Sequence, residues 1–194
     1  MTPTTPDLPA AAKEALDVLD RAGLRACLIG GLVVPRWGEP RATTDVDISV
    51  LAPYGEEEAA IETLLRHFAP RKPDARKFAM DHRVLLLKAS NGVSLDVALA
   101  AFPFEIEAID AASDWDVMPG VSLRTCAAEH LIVYKLVAAR ARDLADVEGI
   151  VRRRGTSLDI GIIRRWGTLF AELKEDPDLL RPFEDALRHA GPSR

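Results

Sequence analysis

The sequence predicts an α/β (α+β) protein: helices and strands mix through Leu123, and helices alone follow. Three observations carry this. Residues Asp45–Leu51 alternate polar and apolar side chains, as a strand with one covered face does. Two apolar runs, Val84–Ala89 and Val93–Ala100, flank Ser90-Asn91-Gly92, and Asn-Gly accepts the positive φ of a tight hairpin turn. From Thr125 onward the apolar positions recur at three-to-four spacing.

Taken in order, the elements follow local rules. Thr2–Pro9 is Pro-rich and expected to be loose. A helix then places Ala12, Ala15, Leu16, Leu19 and Ala22 on one face and stops at Gly23. Arg25–Ile29 reads as a buried strand ending at Gly30-Gly31, and a short helix, Leu32–Trp37, begins there. Pro35 is tolerated because its ring meets the first turn, where no internal hydrogen bond is lost. After the Asp45–Leu51 strand comes an amphipathic helix, Glu56–Phe68, then the hairpin. Phe102–Asp116 is ambiguous between helix and strand, and Val121–Leu123 adds a short strand. Thr125 is expected to cap one long helix reaching Arg153, with two further helices over Leu158–Leu173 and Leu179–His189.

Composition bounds the function. A chain of 194 residues with 48% hydrophobic and 28% charged residues can fill a core and is neither a disordered tail nor an integral membrane protein. The uncharged stretch Ala26–Pro35 is ten residues long, against about 20 for a bilayer span. Met1–Pro9 has no Lys, Arg or apolar run, so no signal peptide is expected. With Cys27 and Cys126 lacking metal-ligand spacing, the expected location is cytoplasmic and both thiols reduced. The net charge of −5 is uneven: Lys135–Arg165 holds eight basic and four acidic residues. That window suits either a polyphosphate or RNA end, or a plain solvated helix surface.

The chemistry concentrates in three carboxylates. Asp45 and Asp47 share one face of their strand, where like charges repel unless a cation lies between them. A hard divalent ion, Mg²⁺ or Mn²⁺, fits oxygen donors. Asp96 stands among Leu95, Val97 and Leu99 in the second hairpin strand, an expensive place for an unpartnered acid. If the strands are neighbours, the three converge. Gly30 and Gly31, between strand and helix, let backbone amides approach a phosphate.

Gly30-Gly31, thirteen residues, then Asp45-Val46-Asp47 and a later single Asp96 resembles the motif set of the polymerase-β-type nucleotidyltransferases. The runs Gly38–Asp47 and Lys135–Asp146 are similar to the small bacterial AbiEii- and MenT-like nucleotidyltransferases of toxin–antitoxin systems. The likeness spans residues 24–150. It implies a nucleotidyltransferase fold with a mixed, twisted sheet flanked by helices. Residues 8–124 would be the catalytic core, and residues 125–194 a helical segment packed on it. It implies Asp45, Asp47 and Asp96 as metal ligands, with Asp96 also a base for an incoming hydroxyl, and Gly30 and Gly31 as triphosphate contacts. Many members have Ser where this chain has Gly31, which weakens the phosphate grip slightly. An NTP would be the co-substrate and an RNA end, a protein or a small molecule the acceptor, and an antitoxin protein a possible partner.

On a continuous helix, Lys135, Arg142 and Asp146 would form one stripe beside the apolar arc of Ile132, Leu136, Ala139, Val147 and Ile150. Lys135 and Arg142 are therefore expected phosphate contacts, the alternative for Lys135 being a snorkelling surface lysine. Arg140 and Asp143, at i,i+3 spacing, read as a structural pair. His67, His82, His130 and His189 lack metal-site spacing. Ser49 and Ser94 share the acidic face and are placed to hydrogen-bond the carboxylates, and Trp37 could stack on a base. Two other readings compete: a metal-dependent glycosyltransferase, in which the Gly-Gly turn has no role, and a catalytically silent nucleotide- or partner-binding module.

Overall fold

A computed structural model describes residues 7–190, and the chain divides into two compact units. The first holds the chain up to Leu32 together with Ala42–Cys126, and the second holds Val33–Arg41 and the chain from Ala127 onward.

The first unit is built on a seven-stranded mixed sheet in the order β3-β4-β5-β2-β1-β7-β6. Its strands are β1 (Ala26–Ile29), β2 (Asp45–Leu51), β3 (Ala69–Pro70), β4 (Val84–Lys88), β5 (Ser94–Ala100), β6 (Ser113–Met118) and β7 (Val121–Thr125). β2 lies antiparallel to β1 and parallel to β5, so the two strands carrying the aspartates are neighbours. The fold class predicted from the sequence is the one observed.

Alternation decides the two faces of the sheet. Val46, Ile48 and Val50 of β2, Leu95, Val97 and Leu99 of β5, and Leu85 and Leu87 of β4 are at most 1% exposed and form the core side. Helix α1 (Leu8–Arg21) packs against β1, β2 and β7, and α4 (Ala75–His82) packs against β4. Between them runs α3 (Glu57–His67), touching both helices. The opposite face bears the polar residues of β2 and β5, and α5 (Pro103–Asp110) covers the end of it near Cys27, whose thiol reaches the Ala108 carbonyl. Burial pushes the Cys27 thiol up to about 12, so it is an inert core thiol.

The second unit contains α2 (Val34–Trp37), then α6 (Ala128–Ala138), α7 (Ala141–Arg154), α8 (Ile160–Leu173) and α9 (Arg181–Ala190). α6 packs on α7 and α8, and α9 packs on α7. Where α2 passes α7, Gly38 is required: a Cβ there would lie 2.9 Å from the Ile150 side chain.

Several expectations are corrected. The long helix from Thr125 to Arg153 is two helices. Ala139 adopts φ 53°, which stops α6, and Arg140 at φ −74°, ψ 152° starts α7. Thr125 is the last residue of β7, and the cap position of α6 falls to Ala127. The stripe of Lys135, Arg142 and Asp146 therefore does not exist as a helical stripe. Residues 102–116 resolve into α5 and β6. The Pro-rich start is not loose throughout: α1 begins at Leu8, with Asp7 accepting from the Ala10 amide and Pro9 in the first turn, where a missing N–H costs nothing. The rest of that stretch lies outside the described residues. Among the described residues, no helix is long and apolar enough to cross a membrane.

Candidate functional site

The parallel register of β2 and β5 sets Asp45 beside Ser94 and Asp47 beside Asp96. Registered neighbours point to one face, so the i,i+2 pair on β2 meets the single acid on β5. One ligand oxygen from each of Asp45, Asp47 and Asp96 lies within 4.8 Å of the others, and all three residues are half-buried. An all-carboxylate donor set of this spacing suits a hard divalent cation such as Mg²⁺ or Mn²⁺.

The surroundings hold each carboxylate in a different way. Asp45 accepts from the Thr43 hydroxyl at 2.9 Å. Asp47 stands against the end of β1, where the register pairs it with Ile29, and the Gly31 amide points at its Oδ2 from 3.4 Å. Gly30 next to it has φ +72°, and a Cβ there would come within 2.7 Å of the Asp47 Cβ. Both the left-handed backbone and the close approach demand glycine. Asp96 is ion-paired with Arg71, whose side chain is 28% exposed. Burial raises the Asp96 carboxyl above its ordinary value, with the Arg71 charge pulling it down and the Asp45 charge pushing it up.

Two of these neighbours escaped the sequence reading. Thr43 stands two residues before Asp45, a spacing that could have flagged it. Arg71 left no signal, because it follows the two-residue strand β3, too short to register as periodicity. Its amide donates to the Leu86 carbonyl at 2.9 Å, extending the β3–β4 ladder by one position. Ser49 did not behave as expected: its hydroxyl is buried with no hydrogen-bond partner, so it does not serve the carboxylates. Trp37 is taken up by cation–π contacts with Arg36 and Arg154.

Lys135 and Arg142 belong to the second unit. The Lys135 ammonium is buried and bonded to Asp143 and Asp146, each at 2.9 Å. Asp146 also accepts two hydrogen bonds from the Arg41 guanidinium, at 2.8 and 3.0 Å. Asp143 accepts from Arg140, so that expected structural pair forms, although the Arg140 side chain is 60% exposed. Arg142, one position before Asp143, is exposed on α7. Lys135 is thus not a snorkelling surface lysine; it sits within a buried ion cluster that ties α7 to α6.

No family model matches the sequence, and no curated protein does either. Among solved structures, the chain is similar to the antibiotic-resistance factor ANT(2'')-Ia in solution, with a TM-score of 0.56, 16% identity, and coverage of 86% of this chain and 95% of that one. It is likewise similar to the crystal structure of ANT(2'')-Ia in complex with adenylyl-2''-tobramycin, with a TM-score of 0.53 and 18% identity over 86% of this chain and 98% of that one. At such identities the likeness shows a shared fold. It is the fold that the motif resemblance implies.

Proposed function

We propose that the protein is a metal-dependent nucleotidyltransferase, moving a nucleoside monophosphate from an NTP to an acceptor hydroxyl and releasing pyrophosphate. The observation that carries this is the convergence of Asp45, Asp47 and Asp96 within 4.8 Å, next to the Gly30-Gly31 turn. The fold shared with ANT(2'')-Ia supports it.

The residues divide the work. Asp45, Asp47 and Asp96 would hold Mg²⁺ or Mn²⁺. Bound there, the ion supplies positive charge that draws in the triphosphate and favours ionisation of the attacking hydroxyl. The turn at Gly30 and Gly31 offers backbone close to the carboxylates, free of side chains that would obstruct a phosphate. The acceptor oxygen forms a bond to the α-phosphorus while its proton passes to the Asp96 carboxylate. The bond from the α-phosphorus to the bridging oxygen breaks, and its electron pair leaves with pyrophosphate.

Lys135 and Arg142 remain in the proposal as phosphate contacts on the strength of the motif resemblance. Arg142 is exposed and ready for an anion, whereas Lys135 could reach one only by giving up Asp143 or Asp146. The acceptor is an RNA end, a protein or a small molecule. The excess of basic residues over Lys135–Arg165 favours RNA, and the adenylyl-tobramycin complex of ANT(2'')-Ia favours a small molecule. A narrower role, as a cytoplasmic toxin neutralised by an antitoxin protein, rests on the likeness of residues 38–47 and 135–146 to the AbiEii- and MenT-like proteins. The test is to incubate the protein with each NTP labelled at the α-phosphate, Mn²⁺ and a cell extract, then separate RNA, protein and small molecules. Label in one fraction, dependent on the protein and on Asp45, is the expected result. No label in any fraction would reject the transferase reading.

A further inference from the structure

We propose that Arg71 is the resident counter-charge of the aspartate cluster and competes with the divalent ion for Asp96. This rests on the metal-site reading above and adds a residue that neither the motif set nor the shared fold assigns.

The placement follows from the sheet. Arg71 donates its amide to Leu86, Leu86 is registered with Asp96, and Asp96 with Asp47. One row therefore runs from the sheet edge to the site, and its residues share a face. The guanidinium reaches across Leu86 to Asp96, and its ion pair there carries one positive charge into a cluster of three acids. A guanidinium cannot lose its proton, so the charge stays whatever the pH. Without a metal it lowers the repulsion among the carboxylates. When a divalent ion is added, the two cations repel across a shared carboxylate, and the bond to Arg71 has to weaken or break. Arg71 has room to withdraw: its side chain is 28% exposed, and β3 lies at the sheet edge. Its neighbours in sequence hold their own partners and do not substitute for it. Lys72 lies over the Phe78 ring, Arg76 pairs with Glu58 and Glu62, and Lys77 pairs with Asp81.

A fixed outer partner makes the opposite claim. Groups that orient a metal-bound carboxylate usually tighten metal binding, and their loss weakens it by about 10- to 100-fold. The sign of one measurement therefore decides. Mn²⁺ is titrated into the full chain without nucleotide, by calorimetry or by the loss of free-ion paramagnetic signal, for the wild type, Arg71→Gln, Arg71→Lys and Asp45→Asn, each checked for folding by its thermal transition. Competition requires Arg71→Gln to bind Mn²⁺ tighter by about two- to fivefold, the size of one partly exposed ion pair. Arg71→Lys, which keeps the charge but loses the fork, should fall between. Unchanged or weaker binding in Arg71→Gln, with Asp45→Asn losing the ion, would overturn the role of Arg71 and leave the metal site intact. Equal binding by the wild type and Asp45→Asn would overturn the metal reading itself.

Discussion

Lys135 on α6 donates to Asp143 on α7 at 2.9 Å, with the two side chains 5% and 0% exposed. Asp146 shares the same ammonium at 2.9 Å and is 4% exposed. Three buried charges across a helix break form one unit, and removing the cation leaves two carboxylates facing each other, with the Arg41 guanidinium on Asp146 and the Arg140 guanidinium on Asp143.

Lys135→Ala should therefore act on folding first. Breaking a buried ion pair from one side costs about 3–5 kcal/mol, because the remaining charge stays buried. Urea unfolding should show a lower midpoint with an unchanged slope. Neutralising Asp143 and Asp146 in the same chain should recover part of the loss. Wild-type stability in Lys135→Ala would mean that the cluster does no structural work.

Acid should attack the same cluster. Burial pushes the Asp143 carboxyl up, but hydrogen bonds and charges from Arg140 and Lys135 outweigh it and hold the group below the usual carboxylate range. A depressed folded value means that its stabilisation is full above the unfolded value of about 3.9 and is lost as the pH falls through the folded one. Unfolding midpoints measured from neutral pH downward should fall less steeply below about pH 4 for Asp143→Asn than for the wild type. Parallel curves would remove Asp143 as a source of acid sensitivity.

The Gly-Gly turn separates stability from binding. Gly30→Ala forces a side chain into φ +72° and against Asp47, so it should cost about 1–3 kcal/mol and disturb the metal ligands together. Gly31→Val should weaken ATP binding in Mn²⁺ more than it lowers the melting temperature, since the branch crowds the amide that faces the site. Calorimetry and thermal melts on both variants check this. Unchanged nucleotide affinity in Gly31→Val would remove the turn from the site.

Much of this site was legible in the chain because it depends on strand period alone. Alternation placed Asp45 and Asp47 on one face, and the cost of an acid in the apolar run of β5 singled out Asp96. The hairpin turn fixed where β5 begins. Long-range geometry was not legible. Nothing local tells a reader that a two-residue strand brings Arg71 to Asp96 across β4. The break at Ala139 was missed for a different reason. Ala is a strong helix former, and its positive φ is imposed by α7 turning back so that Asp143 and Asp146 reach Lys135. There tertiary charge pairing overrides local preference, and the periodicity argument, sound for each half, failed across the join.

Pyrophosphate release, followed with each NTP in Mn²⁺ and a cell extract as the acceptor source, compares the wild type with Asp45→Asn, alongside metal-free melts of both. Asp45→Asn removes one of three repelling carboxylates, so its melt should match or exceed the wild type, while release falls by at least about two orders of magnitude. Equal release by the two proteins, or a variant that no longer folds, would contradict a catalytic role for the three-aspartate cluster.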